Sequence, residues 1–238
     1  LPHHAYVWQR QWTDPVREAV LTHGTNFSTL VALGAEVTWQ RGAPQVIRVP
    51  LDFAALRSTG HPIGLALRIG PFAGPFAAED ERARRLRQLA VSLVHEAASH
   101  PLALAELQMD FDCAESKLDG YRVWVEAIRQ EVAPVPVTIT ALPSWLKRPA
   151  FRRLADAADG YVLQVHSLAR PTAIGTAFTL CEPDAARRAV ARAGRLGRPF
   201  RVALPTYGYR VAFNAQGALA GLSAEGPDRA WPEGFTVR

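Results

Sequence analysis

The chain has 238 residues, enough for one large domain or two small ones. Its 48% hydrophobic and 21% charged content fit a soluble globular protein, and no apolar run approaches the roughly 18–20 residues of a membrane span. The net charge of +5 rests on 27 basic residues, of which only Lys117 and Lys147 are lysine; the arginines gather on predicted helices as solvated faces, and no nucleic-acid-binding module accompanies them. Cys113 and Cys181 are too few for a disulfide scaffold and fit no zinc spacing; they could pair only in an oxidising compartment.

Ala5–Arg10 reads as a short strand, and the preceding His3-His4 as a flexible end or tag remnant. Asp14-Pro15 opens a helix that His23-Gly24 stops, with Asp14 as the expected cap. Ser28–Val37 is a second strand, Trp39–Pro50 an irregular insert, and Leu51–Ser58 a short helix. Ile63–Ile69 is the third strand, followed by a Gly/Pro loop and a long helix over Ala78–Ser99. The fourth strand, Leu104–Asp112, carries acids, and a helix from Leu118 to Glu131 follows it. Val135–Ala141, Tyr161–Leu168 and Phe200–Leu204 are strands five to seven, separated by helices over Trp145–Ala157 and Pro183–Arg195. A β-hairpin is expected around 209–224.

Seven βα units in a row imply a parallel sheet with helices outside it. An open doubly wound sheet would bury both faces of its strands, giving continuous apolar runs. Here the strands alternate instead. Leu65, Leu67 and Ile69 oppose Ala66, Arg68 and Gly70; Val137 and Ile139 oppose Thr138 and Thr140; Val31, Leu33 and Ala35 are expected to oppose Ala32, Gly34 and Glu36. One apolar face for helices and one small-or-polar face shared inside describe a TIM-type (β/α)8 barrel, here a single domain over 1–238 with about seven units visible. Either Phe235–Val237 begins the eighth strand or it lies beyond residue 238.

Barrel sites lie at the carboxyl ends of the strands. Reading those ends places Trp8, Arg10, Glu36, Arg68, His166 and Tyr207 as substrate-binding candidates, with Glu115 just past the fourth strand. Asp110 and Asp112 point inward together, their α-carbons roughly 6.5–7 Å apart by strand rise. Two carboxylates so placed cannot both ionise cheaply, which suits an acid and a base drawn from one strand and proton donation to a glycosidic oxygen. These two are the catalytic candidates. Glu106, deeper inside, needs a partner such as Arg68 or Arg201 and reads as structural. A metal-dependent hydrolase built on Asp110, Asp112 and His166, and a carbohydrate-binding barrel without turnover, are the alternatives. No P-loop, dinucleotide fingerprint, HExxH or GxSxG occurs, so neither a cofactor nor a metal is expected.

The segments VWQRQW, LQMDFDCAESKLDGYRVWV, YVLQVHSL and ALPTYGYR together resemble DUF3142, a bacterial family of domains of unknown function. That resemblance implies a barrel similar to glycoside hydrolases, export from the cytoplasm and a further strand past the hairpin. Leu1 in place of Met is read as the mark of a removed signal peptide or tag. The acid strand also resembles the Asp-x-Asp-x-Glu motif of chitinase-like glycosidases: Asp110 and Asp112 match its aspartates, but Glu115 stands three residues after Asp112 rather than two. The combined expectation is a monomeric glycoside-hydrolase-like barrel acting on a polysaccharide.

Overall fold

The computed structural model describes residues 1–40, 42–167, 170–224 and 230–238. Seven strands form one parallel sheet: β1 (His4–Val7), β2 (Thr29–Gln40), β4 (Ile63–Ile69), β5 (Leu104–Phe111), β6 (Val137–Ala141), β7 (Gly160–Gln164) and β8 (Phe200–Ala203), adjacent in that order. An eighth strand, β3 (Ala43–Arg48), pairs antiparallel with β2. Six helices follow strands along the chain: α1 (Asp14–His23), α2 (Phe53–Ser58), α3 (Glu81–Ser99), α4 (Leu118–Glu131), α5 (Pro149–Ala157) and α6 (Pro183–Gly194). The result is an incomplete (β/α) barrel, in which no ladder joins β8 back to β1 among the described residues.

The helices start where side chains can satisfy their free amide groups. The Asp52 carboxylate accepts from Ala55 N–H at 2.9 Å ahead of α2, and Asp80 accepts from Ala83 N–H at 2.7 Å ahead of α3. Glu182 does the same for α6 through Asp184 and Ala185. For α1 the cap position belongs to Thr13, and Asp14 falls in the first turn, where its charge still suits the helix dipole. On α3 the buried residues Ala83, Leu86, Ala90, Leu93 and Ala97 recur at helical spacing and face the sheet. Leu65, Leu67, Ile69, Leu107, Met109, Phe111, Val137 and Ile139 supply the other half of that core.

Four expectations change. The second strand does not alternate uniformly. Its pairing with β4 skips a residue between Leu33 and Ala35, so Leu33 aligns with Ala66 while Ala35 aligns with Leu67. The bulged residue is Gly34, and a Cβ built there would lie 2.6 Å from Leu93 on α3. Val31 and Leu33 therefore share the inner face with Glu36. Second, the expected insert is β3, formed after a turn at Gly42, whose φ of 83° a side chain would resist. Third, Phe235–Val237 does not open an eighth barrel strand: β11 (Thr236–Val237) pairs antiparallel with β9 (Tyr209–Phe213), which also pairs with β10 (Leu219–Ala224) in a separate sheet. Fourth, β7 stops at Gln164, well short of Leu168, which lies outside the described residues. Val165 N–H still reaches Ala203 at 3.4 Å, but Pro205 has no N–H to extend the ladder.

Inside the curved sheet, polar side chains bond both between adjacent strands and across the space between strands that are not neighbours. Glu106 is 3% exposed and accepts two bonds from Arg201 on β8, at 2.6 and 2.5 Å, and one from the Thr138 hydroxyl at 2.7 Å. Gly64 leaves the room: a Cβ there would sit 3.2 Å from the Glu106 Cγ. Above this layer the Tyr6 hydroxyl on β1 donates to the Gln108 Oε1 at 2.8 Å, and Gln108 Nε2 donates to Thr140 at 2.9 Å. His4 is no loose end; it is the first residue of β1, and both Arg201 and Glu106 act on its pKa, which burial lowers.

Removing Arg201 leaves a carboxylate enclosed without its cation. Arg201→Met is expected to lose about 3 kcal/mol in urea unfolding, the low end for buried pairs because 36% of the Arg201 side chain remains exposed. The double variant with Glu106→Leu should recover most of that loss, since it removes the stranded charge as well.

Candidate functional site

The acid strand delivers two carboxyls one pleat apart. Asp110 aligns with Arg68 across the β4–β5 ladder, and Arg68 aligns with Glu36 across β2–β4. One row at the carboxyl-terminal mouth thus reads Glu36, Arg68, Asp110. Asp112 is one residue beyond β5, held at the sheet end because its N–H donates to Ile69 C=O at 3.1 Å.

The two aspartates live in different surroundings. Asp110 keeps only a strip of accessible surface. Its carboxyl is pushed up from the usual range chiefly by burial, against a hydrogen bond from Thr140 and the charge of Arg68; Asp112 and Glu36 push it further up. The Asp112 side chain is 55% exposed, with the Arg68 Nη2 at 3.7 Å. Arg68 also faces Glu36 at 3.9 Å, and Arg10 Nε donates directly to the Glu36 carboxylate. Arg10, Glu36, Arg68 and Asp112 together line a cavity of about 290 Å³, with Thr38, Gln45 and Ile47 completing its wall. A larger hollow of about 570 Å³ lies at the other end of the sheet, between α4, α5 and the start of β6, far from this row.

The remaining candidates separate into smaller groups. His166 stands two residues past β7 and pairs through Nδ1 with the Tyr207 hydroxyl at 3.0 Å, and burial lowers its pKa, favouring the neutral ring. Tyr207 in turn packs edge-on against Tyr209. Trp8 packs edge-on against Tyr6, with ring centres 5.7 Å apart. Glu115 turns to the rim, where Arg148 Nε donates to it at 2.6 Å; that bond and one from Ser144 hold its carboxyl below the ordinary value. Among the described residues no group of three or more His, Cys, Asp or Glu side chains could hold a metal ion, so Asp110, Asp112 and His166 form no ligand set. Cys113 and Cys181 are not bonded to each other. No helix among the described residues is long and apolar enough to cross a membrane.

Tyr6, Gln108 and Thr140 stand beneath the acid pair, and Tyr6 was legible: it shares the parity of Trp8 along the first strand. Burial of its hydroxyl end pushes the Tyr6 phenol up to about 12, so it stays a donor to Gln108.

A parallel βα sheet curled around a polar interior, with helices on its outer face, belongs to the class of TIM-type (β/α) barrels. Solved structures bear out the fold. The chain is similar to a chitinase from Chromobacterium violaceum (14% identity, TM-score 0.63, covering 93% of this chain and 73% of the chitinase). It is also similar to a chitinase from Bacteroides thetaiotaomicron (13% identity, TM-score 0.64, 88% and 69%). Against the spore cortex-lytic enzyme SleL from Bacillus megaterium the identity is 12% and the TM-score 0.64; 99% of this chain aligns but spans only 55% of SleL. The chain belongs to the DUF3142 family, described as a domain of unknown function, whose model matches residues 60–233. No curated protein matches it by sequence.

Asp110 yields a pH prediction. A carboxyl whose folded pKa is raised binds its proton more tightly folded than unfolded, so its contribution falls as pH rises past the unfolded value of about 3.9. Asp110→Asn should therefore raise Tm at pH 7 relative to the unmodified protein, and the gain should vanish near pH 3. Thermal melts at the two pH values check this.

Proposed function

We propose that the protein is a glycoside hydrolase acting on a polysaccharide, with Asp112 as the general acid and Asp110 as its pKa partner. The observation that carries this is the contrast between the two carboxyls: one enclosed and biased toward its protonated form, the other at the wall of a cavity. Burial biases Asp110 toward its protonated form and the charge of Asp112 adds to that bias, so a proton is held on Asp110 beside the cavity. Asp112 would relay the proton held by Asp110 to the glycosidic oxygen as the C–O bond breaks, water would add at the anomeric carbon and return its proton to Asp110, and Arg68 at 3.7 Å would offset the charge on Asp112. Arg10, Glu36 and Arg68 would hold the sugar at Asp112, with Trp8, His166 and Tyr207 offering ring faces around the mouth and Glu115 a place on the rim. The likeness to chitinases and to a spore cortex-lytic enzyme supports glycans of those kinds as the first to test. The same reading places the protein outside the cytoplasm, where such polymers occur.

A second reading, a carbohydrate-binding barrel without turnover, is favoured by one observation. The other acids near Asp112 are committed: Glu36 to Arg10 and Arg68, and Glu115 to Arg148. Release of reducing ends from chitin and from spore cortex separates the two. Asp112→Asn is expected to lower it by about a hundredfold or more while leaving Tm unchanged. Unchanged release would remove Asp112 from the chemistry, and binding of chitohexaose with no release by the unmodified protein would favour the second reading.

A further inference from the structure

The cavity at Asp112 does not end at the barrel. β2 runs past its parallel partners, and β3 turns back along its upper half: Glu36 aligns with Ile47, and Thr38 with Gln45. Directly opposed residues of an antiparallel pair point to the same face. Ile47 and Gln45 therefore lie on the face of Glu36, and all four of these side chains line the cavity that contains Asp112. Ile47 is 42% exposed there, an apolar surface beside the hydrogen-bonding groups of Gln45 and Thr38. Val46, on the opposite face of the same strand, is also open to solvent at 50% but does not line this cavity.

A sugar ring presents an apolar face and a polar edge. From this pairing of surfaces we infer that the β2–β3 ribbon is a second sugar-binding subsite, in which Ile47 meets the ring face and Gln45 and Thr38 bond its hydroxyls. The unit it holds adjoins the one at Asp112, so the protein discriminates by chain length and takes oligomers in preference to short sugars. This rests on the reading of the cleft as glycan-binding.

Calorimetry with N-acetylglucosamine and chitohexaose tests it on the unmodified protein and on Ile47→Asp, Gln45→Ala and Val46→Asp. All three sites are exposed strand positions, and circular dichroism confirms folding. The unmodified protein should bind the hexamer about tenfold more tightly than the monosaccharide, the worth of covering part of an isoleucine side chain. Ile47→Asp should abolish that preference and Gln45→Ala reduce it, each leaving monosaccharide affinity unchanged, while Val46→Asp changes nothing. A preference that survives Ile47→Asp, or that Val46→Asp abolishes equally, overturns the subsite alone. Binding of neither sugar by the unmodified protein overturns the chitin-type glycan reading itself, and the subsite with it.

Discussion

A barrel with no ladder between its first and last strands among the described residues holds its curvature from within. Here the Glu106–Arg201 pair does so. It spans from β5 to β8 over two intervening strands, and Thr138 on one of them bonds the same carboxylate. The pair is far from the mouth and touches no candidate site residue. Yet the separation of β5 from β8 sets the separation of everything they carry at their upper ends, including Asp112 and the segment leading to Tyr207. Desolvating a carboxylate is costly unless geometry and additional bonds compensate, and three bonds to Glu106 provide that compensation. The second crossing, Tyr6 to Gln108 to Thr140, closes the other side by tying β1 to β5 and β6.

These two layers also explain why the aspartates differ. Asp110 sits directly above Gln108 on the same face of the strand and beside Thr140, so protein surrounds its carboxyl from below. One pleat further on, β5 has ended and Asp112 meets solvent. A polar floor, an enclosed acid and an open acid follow one another along a single strand. The gradient in their surroundings follows depth first, and Thr140, Arg68 and Glu36 adjust Asp110 within it.

The periodicity of most strands was legible in the sequence, because helices cover one face and alternation of two is the direct record of that. The row of Glu36, Arg68 and Asp110 followed from strand ends, and Arg201 was one of two cations named for Glu106. What could not be read was anything that depends on pairing partners. A bulge changes which side chain faces inward without altering composition, so Val31 and Leu33 were assigned to the wrong face. β3 was missed because its residues are nearly all exposed, and a strand with no buried face leaves no hydrophobic period; the turn at Gly42 was its available signal. His166 was expected on a strand, but the strand's length is set by Pro205 on its neighbour. Tyr6 shares the parity of Trp8, but nothing in the sequence reveals that its hydroxyl reaches Gln108 three strands away.

Gly34 separates β2 into two stretches that obey different neighbours. Below it, Val31 and Leu33 answer to the packing of Gly64 and the floor of the barrel; above it, Glu36 and Thr38 answer to two arginines and a ribbon in solvent. Were the strand to alternate regularly through Gly34, placing Glu36 inward would place Ala32 inward as well and turn Leu33 toward the helices. The glycine thus acts as a clutch between scaffold and cleft. Side chains above it can be exchanged for other ligand contacts without re-phasing the buried half, so the mouth of this barrel is free to vary over a floor that stays fixed.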